Sequence, residues 1–296
     1  MAAGKDHLDR LAMGLLVVLC AIWGVQQVAI KVANAGISPV FQSGLRSLGA
    51  TVLVGAWALA RRVPLFERDG TLAAGLLAAS LFAGEFALIY WGLTFTGASR
   101  GVIFLYTAPF FVALGALVLL PEERMRRGQW LGMGLAFIGI LALFGENLLR
   151  PRAGAWIGDL MFLGAAAFWA ATTLAIKASP LARVAPEKTL LYQLAGSTLL
   201  LPLCSLALGE PGIVALTPSV LASLAFQVVV VAAASYLAWF WLIRHYPATR
   251  LSSFSFLTPV FGVLAGGLLL GETLTPAVWA ALALVGAGIW VANRAG

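Results

Sequence analysis

The sequence predicts an all-α integral membrane protein: ten transmembrane helices in two inverted five-helix repeats, with both termini cytoplasmic. Three observations carry this. Of the 296 residues, 61% are apolar and only 10% are charged. The apolar residues fall into ten runs of about 18 to 26, each long enough to cross a hydrocarbon core of ~30 Å at ~1.5 Å per residue. The second half of the chain also repeats the first. No period-two alternation accompanies the mean hydropathy of +0.95, which argues against a β-barrel of ~10-residue alternating strands.

The first run, Leu11 to Lys31, follows Lys5 and Arg10 as a secretory signal would. It continues for about twenty residues without a small-residue cleavage site, and VVLC before Ala21 is a poor lipoprotein box, so it reads as a span. The second, Pro39 to Ala60, contains Arg46, and the third, Thr71 to Thr96, holds Glu85 near its middle. The fourth, Gly101 to Leu120, carries Pro109. The fifth, Gly128 to Gly145, closes the first repeat, residues 1–147. The second repeat, 148–296, comprises Trp156 to Ile176, Thr189 to Leu208, Pro218 to Ile243, Leu251 to Gly271 with Pro259, and Pro276 to Asn293.

Orientation follows from Lys and Arg in the connections. With the N-terminus inside, the cytoplasmic side receives Lys5, Arg10, Arg61, Arg62, Arg68, Arg124, Arg126, Arg127, Lys177, Arg183, Lys188, Arg244, Arg250 and Arg294. Only Lys31, Arg100, Arg150 and Arg152 fall outside, and Arg46 is inside a span. The net charge of +7 is thereby explained by an anionic inner leaflet, and nucleic acid is not expected as a partner. Cys20 and Cys204 lie in apolar runs without CxxC or a nearby histidine, so they read as packing residues.

Shifted by 150 positions, the chain matches Trp91 with Trp241, Arg100 with Arg250, Phe104 with Phe254, Pro109 with Pro259 and Glu122 with Glu272. Shifted by 146, Trp23 matches Trp169 and Lys31 matches Lys177. A unit of five spans is odd, so its second copy enters the membrane from the other side. Inverted repeats of this kind are a common build for secondary transporters that expose a central site to either side in turn.

The runs AIWGVQQVAIKVA and FWAATTLAIKA, with YTAPFF…LLPEE and FLTPVF…LLLGE, resemble the drug/metabolite transporter superfamily. Within it the chain is similar to the EamA-domain family, and most to aromatic amino-acid exporters of the YddG type. The resemblance spans nearly the whole chain. It implies ten helices, a central cavity lined mainly by spans one, three, four, six, eight and nine, and export of small metabolites across the bacterial inner membrane. The first repeat departs from the pattern, reading PEE where the second reads GE.

Candidate site residues follow from intramembrane polarity and aromatic placement. Arg46 is about 10 Å into its span at ~1.5 Å per residue, where a charge must face the bundle interior or water. Glu85 lies at comparable depth, and the two are expected to interact, either as a structural pair or in the substrate and proton path. Trp23 and Trp169 are near the midplane, too deep for interfacial belts, and are read as cavity walls, with helix packing as the alternative. Gln26, Gln27 and Gln227, with Tyr90, Tyr106, Tyr236 and Trp239, either line the cavity or make contacts between helices. Pro109 and Pro259 each remove one backbone donor, freeing the carbonyls of Leu105 and Ser255, and are hinge candidates or static kinks. Lys31 and Lys177 are expected to snorkel to opposite surfaces.

No nucleophile and base, HExxH, GxSxG or nucleotide-binding motif is present, and the two histidines, His7 and His245, fall outside the apolar runs. The expectation is a transporter and not an enzyme, with no cofactor or metal and no obligate protein partner. Its partners are the lipid bilayer and a small-molecule substrate: an aromatic or other neutral amino acid or, alternatively, another metabolite or an amphiphilic drug. A pore is the different-class alternative.

Overall fold

The computed structural model describes residues 8–149, 153–271 and 274–294. Lys5, His7, Arg150, Arg152 and Glu272, used in the charge, motif and repeat arguments above, lie outside them.

Among the described residues ten helices are long and apolar enough to cross a membrane: Arg10–Ala33, Pro39–Ala60, Leu72–Leu93, Arg100–Leu119, Arg127–Phe144, Ala155–Lys177, Pro186–Ala207, Pro218–His245, Ala248–Leu269 and Pro276–Arg294. Each overlaps a run expected from the sequence, and they are called spans one to ten below. Among the described residues the β-type contact is an isolated bridge between Ile37 and Ile213. The bundle turns its grease outward: Leu11, Val52, Leu131, Leu199 and Leu268 are exposed on different spans. In water such a surface would drive aggregation, and in a bilayer it faces lipid tails of equal polarity.

Two spans are broken. The fourth consists of Ala98–Leu105 and Ala108–Leu119, and the ninth of Ala248–Phe254 and Leu257–Leu270. Pro109 and Pro259 therefore sit in the first turn of a second segment, where a missing N–H costs least, instead of in mid-helix. At each break a carbonyl three residues back accepts both a backbone N–H and a hydroxyl: Phe104 from Thr107, whose Oγ1 donates at 2.6 Å, and Ser252 from Ser255, whose Oγ donates at 2.7 Å. Span eight contains a feature the sequence reading did not anticipate, a π-helical stretch over Gln227–Ser235.

Span one packs on the second segment of span nine, span six on span four, span two on span seven, and span five on span ten. Small residues permit the closest approaches. A Cβ on Gly24 would lie 2.7 Å from the backbone of Phe261 and Gly262, and one on Gly132 would lie 2.5 Å from the Gly288 carbonyl oxygen. Gly132 and Gly262 are thus used inside the bundle, in line with the small-residue packing of membrane helices.

Polar side chains gather where spans end. On the face where span one begins, Glu123 Oε1 is 2.9 Å from Lys177 Nζ, while its Oε2 accepts from the Ala248 N–H at 2.6 Å. Lys177 is thus held by a carboxylate, which the snorkelling expectation did not include. On the opposite face Arg100 Nε donates to Asp159 at 2.8 Å, and Glu210 accepts the N–H groups of Val40 and Phe41 at the start of span two. That start has no capping side chain of its own, so a carboxylate from the loop after span seven meets its exposed donors.

Candidate functional site

A cavity of about 210 Å³ lies between spans one, three, four, six, eight and nine, with Gln193 contributed by span seven. Ten of the thirteen residues expected at the site line it: Trp23, Gln26, Gln27, Glu85, Tyr90, Tyr106, Trp169, Tyr236, Trp239 and Pro259. Broken helices matter here because an unbroken rod presents only one set of side chains per turn. The break in span nine brings Thr258 and Pro259 to the cavity, and the break in span four brings Tyr106.

Trp23 is the best anchored of the walls. Its indole Nε1 donates to Ser235 Oγ at 2.9 Å, across from span one to span eight. Ser235 Oγ passes its own proton to the Val231 carbonyl at 2.6 Å. Trp239 and Tyr236 meet the Trp23 ring edge-on, at centroid distances of 5.4 and 6.3 Å. Tyr236 in turn meets Phe82 at 6.0 Å, and Phe82 meets Phe86 at 4.9 Å. On the other side Trp169 and Tyr106 form a T-shaped pair at 5.9 Å. Such edge contacts hold the rings in fixed orientations, each pair adding about 0.5 to 1.5 kcal/mol beyond area burial.

Three expected residues lie elsewhere. Gln227 is completely buried, and its amide donates to Gln42 Oε1 at 2.8 Å, while the Gln42 amide donates to Asn34 Oδ1 at 2.8 Å. It begins the π-helical stretch, and its side chain serves a relay between spans one, two and eight instead of the cavity. Pro109 is buried in span four away from the lining. Arg46 is completely buried, one layer behind the wall, with its guanidinium carbon 4.3 Å from the centroid of the Phe86 ring. Among the described residues no direct ion pair joins Arg46 to Glu85, although Glu85 lies within reach of the Arg46 charge, so of the two forms of interaction expected above the close structural pair is not the one seen. Consecutive residues on a helix point about 100° apart, so Phe86 takes the side facing Arg46 while Glu85 opens on the cavity.

Phe82, Phe86 and Ser235 were missed by the sequence reading. Phe82, Phe86 and Tyr90 follow at four-residue steps on span three, a spacing that places them on one face and was available as a signal. Ser235 had no such mark.

The electrostatics of the cavity are simple. Among the described residues, Glu85 is the one charged side chain that lines it. Gln26, Gln27 and Gln193 supply amides, and the hydroxyls of Thr172 and Thr173 donate to the helix carbonyls of Phe168 and Trp169, leaving their lone pairs as acceptors. A planar apolar group would be enclosed by rings, and a cationic group would find a carboxylate and π faces.

The EamA-like transporter family model matches residues 10–145 and again 156–294. The chain belongs to this family. Two matched units in succession cover both halves of this EamA protein and meet in the region of the short helix Glu146–Leu149. A protein of Salmonella typhimurium named "Probable amino-acid metabolite efflux pump" is 31% identical over 94% of this chain and 93% of its own. An Escherichia coli protein of the same name is 27% identical over 94% and 93%. The Bacillus subtilis "Uncharacterized transporter YoaV" is 24% identical over 91% and 92%. A chain of known crystal structure superposes with a TM-score of 0.83 over 97% of this EamA chain and 98% of its own, at 20% identity, which establishes the shared fold. The family and these relatives carry the names of transporters and efflux pumps, not of enzymes, and this EamA protein is a multi-pass membrane transporter.

Proposed function

We propose that this transporter exports aromatic and other neutral amino acids from the bacterial cytoplasm, alternating the central cavity between the two membrane faces by exchange of two inverted five-span halves. The observation that carries this reading is the cavity itself: an aromatic enclosure around a single carboxylate, with amides at its margin. An aromatic side chain is held by ring contacts and area burial, and its ammonium is attracted by Glu85 and the faces of Trp23 and Trp169. Relatives named as amino-acid metabolite efflux pumps add weight. The contact pattern supports related halves, since span one meets span nine as span six meets span four. The positive charge of the connections supports a cytoplasmic position for both termini in an inner-membrane protein.

Counterflow of labelled phenylalanine and tryptophan in liposomes containing the protein tests this, with and without an imposed proton gradient. Saturable counterflow lost in Trp169→Ala is expected. Flux no greater than in empty liposomes, from folded protein, removes the amino-acid assignment. Flux without saturation or counterflow indicates a pore. A second reading, export of amphiphilic organic amines, is favoured by one observation: among the described residues the cavity lining presents a carboxylate and no cation.

A further inference from the structure

Arg46 is a charged side chain that the fold has gone out of its way to bury. It is completely enclosed, on a membrane span, and its Nε and Nη1 have no hydrogen-bond partner among the described residues. Its one hydrogen bond runs from Nη2 to Ser43 Oγ, one turn earlier on the same span, at 3.3 Å. A guanidinium carries five donors in a planar fork shaped for a carboxylate, and it cannot shed its charge as a lysine can. Within a membrane such a group normally finds a partner or a water-filled cavity. Here its flat face meets the Phe86 ring, and Phe86 lines the central cavity. A single side chain, able to turn about its own χ angles, therefore stands between an underused guanidinium and the cavity.

The residue beside Phe86 supplies the complementary charge. Glu85 lines the same cavity and, among the described residues, makes no direct ion pair with Arg46, yet it lies within reach of that charge, so the two opposite charges flank one region with Phe86 between Arg46 and the cavity. A zwitterion has the same two charges, separated by a single carbon. An amine without a carboxylate would use Glu85 alone, and a structural ion pair would have brought Glu85 and Arg46 together.

We propose that Arg46 is the recognition site for the carboxylate of an aromatic amino acid, covered by Phe86 in this structure and reached when that ring turns aside, with Glu85 taking the ammonium. Turning Phe86 aside is thus a cost that falls on amino acids and not on the corresponding amines. The proposal rests on the amino-acid reading above and assigns that substrate's two charged ends to named side chains.

The test is equilibrium binding to purified, lipid-reconstituted protein of L-phenylalanine and of phenethylamine, which keeps the ring and the ammonium and lacks the carboxylate. Arg46→Gln is expected to weaken L-phenylalanine by at least about tenfold, the worth of a charge-assisted hydrogen bond, while phenethylamine changes less than about twofold. Arg46→Lys should recover part of the loss, since it restores the charge without the fork. Equal weakening of both ligands in Arg46→Gln overturns the proposal, because a merely structural arginine cannot tell them apart. Should Arg46→Gln fail to fold, Phe86→Ala decides: the preference for L-phenylalanine over phenethylamine rises if the ring covers the site, and an unchanged or reduced preference overturns the proposal. Wild-type protein that binds neither ligand overturns the amino-acid reading and this proposal together. L-phenylalanine binding with no discrimination at Arg46 overturns this proposal alone.

Discussion

Tyr246 donates its hydroxyl to Asp9 Oδ2 at 2.9 Å, tying the end of span eight to the start of span one. At a distance of 150 residues along the chain from each partner, 246 − 150 = 96 and 9 + 150 = 159, Thr96 donates its hydroxyl to Asp159 at 3.3 Å. A hydroxyl thus donates to an aspartate at each of two places, joining the end of span eight to the start of span one and the end of span three to the start of span six. Asp159 also accepts from Arg100 Nε at 2.8 Å.

An ion pair and a neutral hydroxyl contact predict unequal sensitivity. Arg100 and Asp159 are only 15% and 9% exposed, so Asp159→Asn breaks a largely buried ion pair, at a cost of about 3 kcal/mol. Tyr246→Phe removes one hydrogen bond at the other face, at a cost of about 1 kcal/mol. Thermal unfolding in detergent should rank Asp159→Asn below Tyr246→Phe, and adding Arg100→Gln to Asp159→Asn should recover stability. Equal effects would mean that the Arg100 contact contributes nothing.

How far the sequence anticipates this molecule depends on which question is asked. Span positions were readable because a bilayer imposes a length and a composition on every crossing. The paired prolines marked broken spans four and nine, although each break falls before the proline, at Tyr106–Thr107 and Ser255–Phe256, since a proline is best placed just inside a helix start. Trp23 and Trp169 were found by depth and repeat position. Rotation about the helix axis was not readable: span three is apolar nearly all round, so nothing in its pattern shows that Phe86 and not Glu85 faces Arg46. The π-helical turn at Gln227 shifts the register of everything after it by a fraction of a turn, and no residue type signals that.

Glu123 is a latch. One carboxylate holds Lys177 at the end of span six and the first N–H of span nine, while the Glu123 carbonyl accepts from Thr249 Oγ1 at 3.4 Å. Three spans therefore meet at one residue on the face where span one begins. Glu123→Gln weakens both carboxylate contacts by about 1 to 2 kcal/mol each, so this face should open more often. Alkylation of a cysteine placed at Ile243, on the cavity wall toward that face, should become several-fold faster in the Glu123→Gln background. An unchanged rate would show that the latch does not control access.

The approach of spans five and ten leaves no room for a side chain at Gly132. A Cβ there would lie 2.4 Å from the Ala292 nitrogen, and one at Gly288 would lie 2.5 Å from the Gly132 carbonyl oxygen. Backbone cannot move aside as the tip of a flexible side chain can. Gly132→Val should therefore push the two helices apart at a cost of about 1 to 3 kcal/mol or more, lowering the unfolding temperature. Gly134→Val, two residues away where a Cβ meets nothing within 4 Å, should change it little. Similar losses at both positions would point to helix propensity and not to the contact.

Asp69 provides the test in pH. Lys188 Nζ donates to Asp69 Oδ2 at 2.8 Å, and the Thr71 N–H donates to its Oδ1 at 3.1 Å, linking the loop before span three to the start of span seven. The Lys188 contact first, and Thr71 second, hold the carboxyl below its ordinary value of 3.8, at about 2. A carboxyl more acidic in the folded than in the unfolded chain stabilises the fold fully above the unfolded value and loses that contribution as pH falls through the folded one. The difference in unfolding temperature between wild type and Asp69→Asn should thus be constant above about pH 5 and shrink between about pH 4 and pH 2. Without the carboxylate, Lys188 keeps only the Glu67 carbonyl, at 3.3 Å, so Asp69→Asn should be the less stable protein at neutral pH. A difference that persists unchanged to pH 2 would show that the Asp69 charge is not what joins these two spans.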